Sequence, residues 1–316
     1  MRLMNLTKLW ERILGRSTGA DLADRLDKVL ERLERLERSM VELQKTHRTV
    51  SAVARRMFLE DVDLPPRKLL RSRRFGVTSQ NEEDGLLVEL FKQVGITNSR
   101  FVEIGCGVNG GNSGFLAQEC GWSGLMIDAQ PAAVEKVAVR FASEDVLTES
   151  HRMSRENINT VLAEAGFQGE IDLLSLDVDG NDFWLWDALT ICRPRVVIIE
   201  YNYLLGPTVS ATIPYDPNFF IKTAPTRAYR GASLEAMVRL GRRKGYRLVT
   251  SERVNAVFLR EDVASNFPTL TSALAYQAPG NRIKNVFGKF TRFDLMLVPV
   301  DEQGQPGSAV PAEAVR

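Results

Sequence analysis

Short apolar runs alternate with helical stretches through the middle of the chain, and this alternation most limits the folds available to it. Four runs have the length of strands: "FVEIG" (101–105), "GLMID" (124–128), "IDLLSLDV" (171–178) and "RVVIIEYN" (195–202). Helical spacing separates them, over about 82–94, 112–120, 131–142, 154–165 and 182–190. Strands that alternate with helices predict a parallel sheet with helices on both faces. One further strand is needed between 143 and 153, where the signal is weak.

The pattern changes after residue 230. Helical spacing starts near Ser233 and stops at Gly245, a residue suited to a helix C-cap. "YRLVTSE" (246–252) and "NAVFLRE" (255–261) then follow with a very short turn between them, which predicts a hairpin. We therefore predict an α/β fold of Rossmann-like type, with a mostly parallel seven-stranded sheet and an antiparallel last strand.

The N-terminal part of the chain has two helical patterns. Residues 1–18 place apolar side chains opposite basic ones, which predicts an amphipathic helix that lies on a membrane or packs on the protein. Residues 19–57 repeat apolar side chains every seven positions. One seam series is Leu22, Val29, Leu36, Leu43 and Val50, and the other is Leu26, Leu33 and Met40, with His47 fourth. About four heptads predict a helical coiled coil and a homo-oligomer, with a single helix packed on the domain as the alternative.

The remaining segments follow from proline and polar content. Tandem prolines within 58–78 predict a linker without helix. The α/β domain is predicted over 79–263, with a C-terminal extension over 264–300. The polar stretch "DEQGQPGSAVPAEAVR" (301–316) predicts a disordered tail.

Basic residues are concentrated at the front of the chain. Residues 1–75 hold 18 Lys and Arg against 11 Asp and Glu, whereas the remainder is acidic overall. A basic front suits either an anionic surface or a helix with solvated arginines. The three cysteines form no CxxC pair, and no secretory signal or long uncharged apolar run occurs. These features predict a cytoplasmic protein, peripheral to the inner face of the membrane if residues 1–16 contact lipid.

"FVEIGCGVNGGNSGFLAQ" (101–118) combines a strand, a glycine turn and a helix. Gly105, Gly107 and Gly110 match the spacing of a dinucleotide fingerprint. Asp128 ends the next strand, where a carboxylate can accept hydrogen bonds from both hydroxyls of a ribose. Two kinds of cofactor fit, a nicotinamide or flavin dinucleotide and S-adenosylmethionine. Glu103 favours the second, because an acid beside the turn suits an ammonium and a sulfonium better than a pyrophosphate.

The order "VEIGCG", "LMIDA", "IDLLSLDVDGND" and "VVIIEYN" resembles the core of class I S-adenosylmethionine-dependent methyltransferases. The set is similar to FkbM-type methyltransferases, which O-methylate sugars and natural products. The resemblance runs from "SQNEEDGLL" (79–87) to "GASLEAMVRLGRRKGYRLV" (231–249) and covers about 79–262. It implies S-adenosylmethionine as cofactor. The residues that it implies in cofactor binding are Gln80, Glu103, Gly105, Cys106, Gly107, Asp128 and Asp177.

"DVDGND" (177–182) places three acids after the third apolar run. Its glycine stands at the fourth place, so it is not an EF-hand calcium loop. The period of two puts Asp177 and Asp179 on one strand face, at the edge where open α/β sheets bind ligands. Asp182 is predicted to cap the next helix. With Glu200 on the adjacent strand, the acids could hold Mg²⁺, and carboxylates hydrogen-bonded to loop backbone are the alternative.

Methyl transfer to a hydroxyl requires aligned reactants and a group that accepts the proton. Among base candidates that include Tyr201 and Tyr203, we assign the catalytic role to Asp179 and His151. Residues 203–230 are rich in proline and aromatic side chains and are predicted to be a substrate lid. Aromatic platforms with few charges suit a sugar or glycolipid ring.

These features together predict a methyltransferase that acts on a hydroxyl of a sugar, polysaccharide or secondary metabolite. An NAD(P)-dependent oxidoreductase or epimerase is one alternative. Such an enzyme would need an apolar residue in place of Glu103 and a Tyr-x-x-x-Lys or similar proton relay. A non-catalytic scaffold, with the coiled coil as its active part, is the other. The acidic body and the lack of a DPPY-like segment argue against a nucleic-acid substrate.

Overall fold

The computed structural model of the protein describes residues 19–59, 66–276 and 295–315. The chain divides into two compact units, Met1–Phe58 and Leu59–Arg316. Helix α1, Gly19–Leu59, has 41 residues, and all of them except the last belong to the first unit. The heptad region is therefore helical, whereas its pairing with another helix stays a prediction. The segment predicted as an amphipathic helix, 1–18, lies outside the described residues.

A seven-stranded sheet forms the centre of the second unit, in the order β3-β2-β1-β4-β5-β8-β7. Its strands are β1 Arg100–Ile104, β2 Ser123–Asp128, β3 Val146–Ser150, β4 Gly169–Leu176, β5 Cys192–Glu200, β7 Tyr246–Glu252 and β8 Asn255–Arg260. Strand β8 lies between β5 and β7 and is antiparallel to both, while the other neighbours are parallel. This arrangement confirms the predicted Rossmann-like sheet and its reversed last strand.

Helices cover both faces of this sheet. They are α2 Pro66–Ser72, α3 Glu83–Val94, α4 Gly114–Cys120, α5 Pro131–Arg140, α6 Ile158–Glu164, α7 Asp182–Ala188, α8 Leu234–Arg243 and α9 Ser272–Ala275. Alternate side chains of β1 point to opposite faces. Val102 joins the core that contains Trp186 of α7, and Phe101 joins the core that contains Leu90 of α3. The inner strands β1, β2, β4 and β5 read as largely apolar runs because both of their faces are buried.

Strand β3 supplies the strand that was needed between 143 and 153. It is an edge strand whose side chains are half-buried or exposed, so it has no apolar run to reveal it. A separate three-stranded sheet consists of β6 Ala211–Thr212, β9 Met296–Pro299 and β10 Val310–Pro311, in the order β10-β9-β6. Its strands pair antiparallel.

Two predicted irregular segments contain regular structure. Helix α2 lies inside the predicted linker 58–78 and begins at Pro66, because proline fits the first turn of a helix, where its missing N–H has no partner to lose. The predicted disordered tail instead contributes β10, and residues Ala312–Val315 form a 3₁₀ turn. Ala312 is buried in a cluster with Leu297 of β9, and the polar composition of the tail gives no indication of this contact.

The helices in residues 19–59, 66–276 and 295–315 are each too short or too polar to span a bilayer.

Candidate active site

A cavity opens at the carboxyl ends of β1, β2 and β4, the edge at which open α/β sheets bind ligands. The strand ends and the loops after them contribute Ile104, Gly105, Ile127, Asp128, Ala129, Gln130, Asp177, Val178, Asp179 and Asn181. Three residues after β3 and four residues of the 203–230 segment complete its wall: His151, Arg152, Met153, Pro217, Phe219, Phe220 and Ile221. Four predicted site residues, Gly105, Asp128, Asp177 and Asp179, and the predicted base His151 therefore share one cavity.

The glycine turn after β1 depends on the absence of a side chain at Gly105. This residue has a φ of 91°, and a Cβ atom there would lie 1.7 Å from the carbonyl oxygen of Asp177. The turn can therefore pass directly against the end of β4. The next glycine, Gly107, has a φ of 58° and donates its N–H to Asp128 over 3.0 Å.

Asp128 connects the glycine turn to the end of β2. Its Oδ2 accepts the N–H of Gly107, and its Oδ1 accepts the N–H of Gln130 over 2.8 Å. A carboxylate has about four acceptor positions, so the carboxylate of Asp128 can still accept hydrogen bonds from a ligand. Because Asp128 also lines the cavity, it can position the turn and hold hydroxyl groups of a ligand at the same time.

Glu103 lies behind the turn and is not among the residues that line the cavity. Its carboxylate is buried and accepts hydrogen bonds from the Ser113 N–H (3.0 Å), the Ser113 hydroxyl (2.6 Å) and the Ser175 hydroxyl (2.9 Å). Burial raises the pKa of Glu103 to about 7, and the hydrogen bonds from Ser113 and Ser175 limit the rise. The carboxylate of Glu103 thus holds the start of α4 through Ser113, and its predicted contact with a cofactor stays a prediction.

The pKa of Glu103 leads to a pH-dependent stability. Its pKa is higher in the folded chain, so the contribution of Glu103 is full below about pH 4.5 and is lost as the pH rises to about 7. The quantity to compare is the free energy of unfolding of the wild type minus that of Glu103→Gln. We expect this difference to fall by roughly 2–3 kcal/mol between about pH 5 and pH 8. Urea unfolding at both pH values measures it. Glu119→Gln, at an exposed acid, is the control, and equal pH profiles for wild type and Glu103→Gln would contradict the assignment.

Three other predicted cofactor residues, Gln80, Cys106 and Gly107, are not among the residues that line the cavity. The thiol of Cys106 is buried in the core that contains Phe101, and burial raises its pKa. Gln80 is exposed on the loop before α3. That loop is held against the glycine turn, because Asn109 donates its side-chain N–H to the Thr78 carbonyl over 2.7 Å.

The acidic segment after β4 turns away from strand geometry. Strand β4 ends at Leu176, and Asp179 has a left-handed φ of 59°, so Asp177 and Asp179 are not successive residues of one strand face as the period of two predicted. Asp182 does not cap α7 with its side chain. It accepts the N–H groups of Val178 and Gly180, both at 2.9 Å, and so closes the turn that precedes the helix.

Among the described residues, Arg230 is the cation that faces these acids. Its guanidinium lies 2.8 Å from the Asp179 carboxylate and 3.4 Å from that of Glu200. Burial raises the pKa of both Asp177 and Glu200 well above the ordinary values, and the charges of neighbouring acids raise it further, while Arg230 lowers it. Burial alone would lower the pKa of Arg230, but Glu200, Asp179 and Asp177 raise it overall. Sequence reasoning missed this residue, which lies 51 positions from Asp179 and has no motif.

Removal of Arg230 tests its role directly. We expect Arg230→Met to lower the free energy of unfolding by about 2–3 kcal/mol at neutral pH, because the buried Glu200 loses its cation. The loss should shrink at about pH 5, since the raised pKa of Glu200 lets it become neutral. Urea unfolding at the two pH values checks this, with Arg227→Met, at an exposed arginine, as control. A loss that does not change with pH would contradict it.

The same acids offer a set of metal ligands. One carboxylate oxygen from each of Asp177, Asp179 and Glu200 lies within 4.8 Å of the other two. Three carboxylates suit Mg²⁺. The guanidinium of Arg230 already supplies positive charge to Asp179 and Glu200, so the charge of this cluster is partly balanced without a metal.

His151, the second predicted base, follows β3. Its ring Nε2 lies 3.0 Å from the Glu149 carboxylate, and its side chain is 43% exposed. The backbone N–H of His151 donates to the Asp128 carbonyl over 3.1 Å, which fixes the residue at the cavity wall. The histidine is therefore accessible from the cavity and paired with an acid.

The 203–230 segment folds over the cavity and is held at both sides. Asn181 donates its side-chain N–H to the Asp216 carbonyl over 2.7 Å, and Arg152 donates to the Phe219 carbonyl over 3.2 Å. Phe219 packs on Gly180, where a Cβ atom would lie 2.2 Å from the ring. Apolar side chains of this segment therefore form one wall of the cavity, in the position that a lid would take.

Comparisons with known proteins find similarity to solved structures at low sequence identity. No family model matches the chain, and no curated protein does. Among solved structures, an S-adenosylmethionine-dependent methyltransferase from Clostridium acetobutylicum ATCC 824 is similar at 11% identity and a TM-score of 0.37, covering 68% of this chain and 98% of that one. An S-adenosylmethionine-dependent methyltransferase from Anabaena variabilis ATCC 29413 is similar at 12% identity and a TM-score of 0.36, covering 57% of this chain and 86% of that one. A TehB-like S-adenosylmethionine-dependent methyltransferase from Corynebacterium glutamicum ATCC 13032 Kitasato is similar at 12% identity and a TM-score of 0.31, covering 54% of this chain and 85% of that one.

Proposed function

We propose that this chain transfers a methyl group from S-adenosylmethionine to a hydroxyl of a sugar, a polysaccharide or a secondary metabolite. The observation that carries the proposal is the joint position of Asp128 and the glycine turn. Asp128 holds the turn through Gly107 and lines the cavity at the carboxyl edge of a sheet whose last strand is reversed.

The residues around the cavity fit this cofactor. Gly105 lines the cavity and has no side chain, so a ligand can approach its backbone closely. Asp128 would accept the two ribose hydroxyls, and Asp177 would face the positively charged part of the cofactor. Asn181 lines the same cavity, and its buried Oδ1 has no hydrogen-bond partner among the described residues, so it can accept from an ammonium or a hydroxyl.

The bound cofactor would supply an electrophilic methyl group, and the protein would supply alignment and a proton acceptor. The lid and the strand ends would exclude water and hold the acceptor hydroxyl in line with the methyl carbon. Asp179 and His151 both reach the cavity. Either one could accept the hydroxyl proton, Asp179 at its carboxylate, which faces Arg230, and His151 at its ring, which faces Glu149.

The lid supports a sugar-like acceptor. Phe219 and Phe220 line the cavity, and Phe220 is 37% exposed with the Lys222 ammonium 5.6 Å from its ring centroid, so aromatic surface borders the space for an incoming ring. Aromatic faces bind the apolar faces of sugar rings, and the nearby Asn181 and Asp179 provide polar groups for hydroxyls.

The oxidoreductase alternative differs from this chain at the sheet. The dinucleotide-binding order extends β3-β2-β1-β4-β5 with a parallel sixth strand, whereas here an antiparallel β8 follows β5. No observation favours that alternative or the scaffold, and one binding experiment separates all three.

Calorimetric titration with S-adenosylhomocysteine tests the proposal, with NADH as comparator and with Mg²⁺ or EDTA present. We expect S-adenosylhomocysteine to bind and NADH not to bind. Equal binding of S-adenosylhomocysteine in Mg²⁺ and in EDTA would show that this binding needs no metal, so that any metal would act only on the acceptor. Binding of NADH alone would replace the proposal with the oxidoreductase, and binding of neither would favour the scaffold.

A further inference from the structure

Helix α1 exposes an apolar stripe along its length. The apolar seam positions whose side chains are described are all at least half exposed: Val29 (52%), Leu33 (51%), Leu36 (59%), Met40 (60%), Leu43 (71%) and Val50 (61%). A 41-residue helix is about 60 Å long, and apolar side chains that line up along such a length form a continuous exposed surface of the kind that marks an interaction site. The stripe therefore requires an occupant.

The two sides of the helix differ sharply in composition. In heptad letters, Leu33 and Met40 stand at a, and Val29, Leu36 and Leu43 stand at d. The outward b, c and f positions over 27–45 are all charged except Val41: Asp27, Lys28, Glu31, Glu34, Arg35, Arg38, Val41, Glu42 and Lys45. Leu30, at an e position, is the one apolar side chain that flanks the seam over 27–45. A seam this narrow with a charged outer face suits a second helix, because a globular surface would cover a wider arc.

The flanking charges identify the partner and its direction. Arg32 stands at g and Glu37 at the following e, five residues later. In a parallel, in-register pair of identical helices, Arg32 lies beside Glu37 of the partner subunit, and the symmetry makes this attraction twice. An antiparallel pair would bring g positions against g positions, and those described here, Arg32, Ser39 and Thr46, include no acid.

We infer that α1 forms a parallel, in-register coiled coil with a second copy of this chain. The inference concerns a surface of the first unit and does not depend on the proposed enzyme activity. His47 then stands at an a position opposite its own copy, and a single polar a residue is a feature that fixes register in coiled coils.

Sedimentation of the full-length chain tests the partner. The wild type should dimerise, and Leu36→Lys should leave a monomer, because two lysines would meet in the seam. Glu42→Arg, a charge change of the outer face, should leave the dimer intact. A monomeric wild type at tens of micromolar would overturn the inference, as would loss of the dimer in Glu42→Arg alone.

A charge-exchange series tests the direction. Arg32→Glu alone, and Glu37→Arg alone, should each raise the dimer Kd about tenfold, and the double variant should restore it, since its pairs are attractive again. No recovery in the double variant would overturn the parallel pairing.

Cross-linking gives a second measurement of direction that does not depend on affinity. In a Cys120→Ser background, which removes the exposed cysteine, Val29→Cys should form a disulfide-linked dimer under mild oxidation. The outward Val41→Cys should not. Cross-linking that is equal for the two variants would overturn the register.

Discussion

Replacing Gly105 with alanine is expected to lower the free energy of unfolding by about 4 kcal/mol and to abolish binding of S-adenosylhomocysteine. Two costs add at this position. The φ of 91° is unfavourable for any residue with a Cβ atom. The new Cβ would also lie 1.7 Å from the Asp177 carbonyl oxygen, so the end of β4 would have to move away from the turn.

Gly166→Ala separates these two costs. Gly166 has a similar φ of 79°, but no atom lies within 4 Å of its ideal Cβ position, so only the backbone strain of about 1–2 kcal/mol applies. Urea unfolding and calorimetry on both variants check the difference. Equal losses of stability, or retained binding in Gly105→Ala, would show that the turn does not approach the end of β4 as closely as described.

Replacing Asp128 with alanine is expected to weaken S-adenosylhomocysteine binding at least tenfold, which corresponds to about 1.4 kcal/mol or more. The variant loses the contacts that Asp128 would make with the ribose. It also frees the N–H groups of Gly107 and Gln130, so the turn is no longer held in the shape that a ligand requires. Titration calorimetry measures the change in affinity.

Two further variants interpret the result at Asp128. Asp128→Asn keeps one acceptor oxygen and should lose less affinity than the alanine variant. Asp145→Ala, at an exposed acid beyond α5, should bind as the wild type does. Unchanged affinity in Asp128→Ala would remove the observation on which the proposed function depends.

Motifs located the strands, the hairpin and the glycine turn in the sequence, because buried strands and left-handed turns restrict local composition strongly. Strand β3 was hard to recognise for the opposite reason, since a half-exposed edge strand accepts many residue types. The ordered C-terminal strand β10 was missed because its stability comes from pairing with β9, and pairing between distant segments leaves little local signal.

The sequence by itself determined the buried strands of the seven-stranded sheet, the place of the glycine turn, and the acids that end β2 and follow β4, because each is specified by residues close together in the chain. Only the tertiary structure decided how the acids are used. The Glu103 carboxylate accepts hydrogen bonds from Ser113 and Ser175 behind the turn. Arg230, at the end of the lid, donates a hydrogen bond to Asp179. Charge pairing and burial act between segments that folding brings together, so local spacing cannot express them.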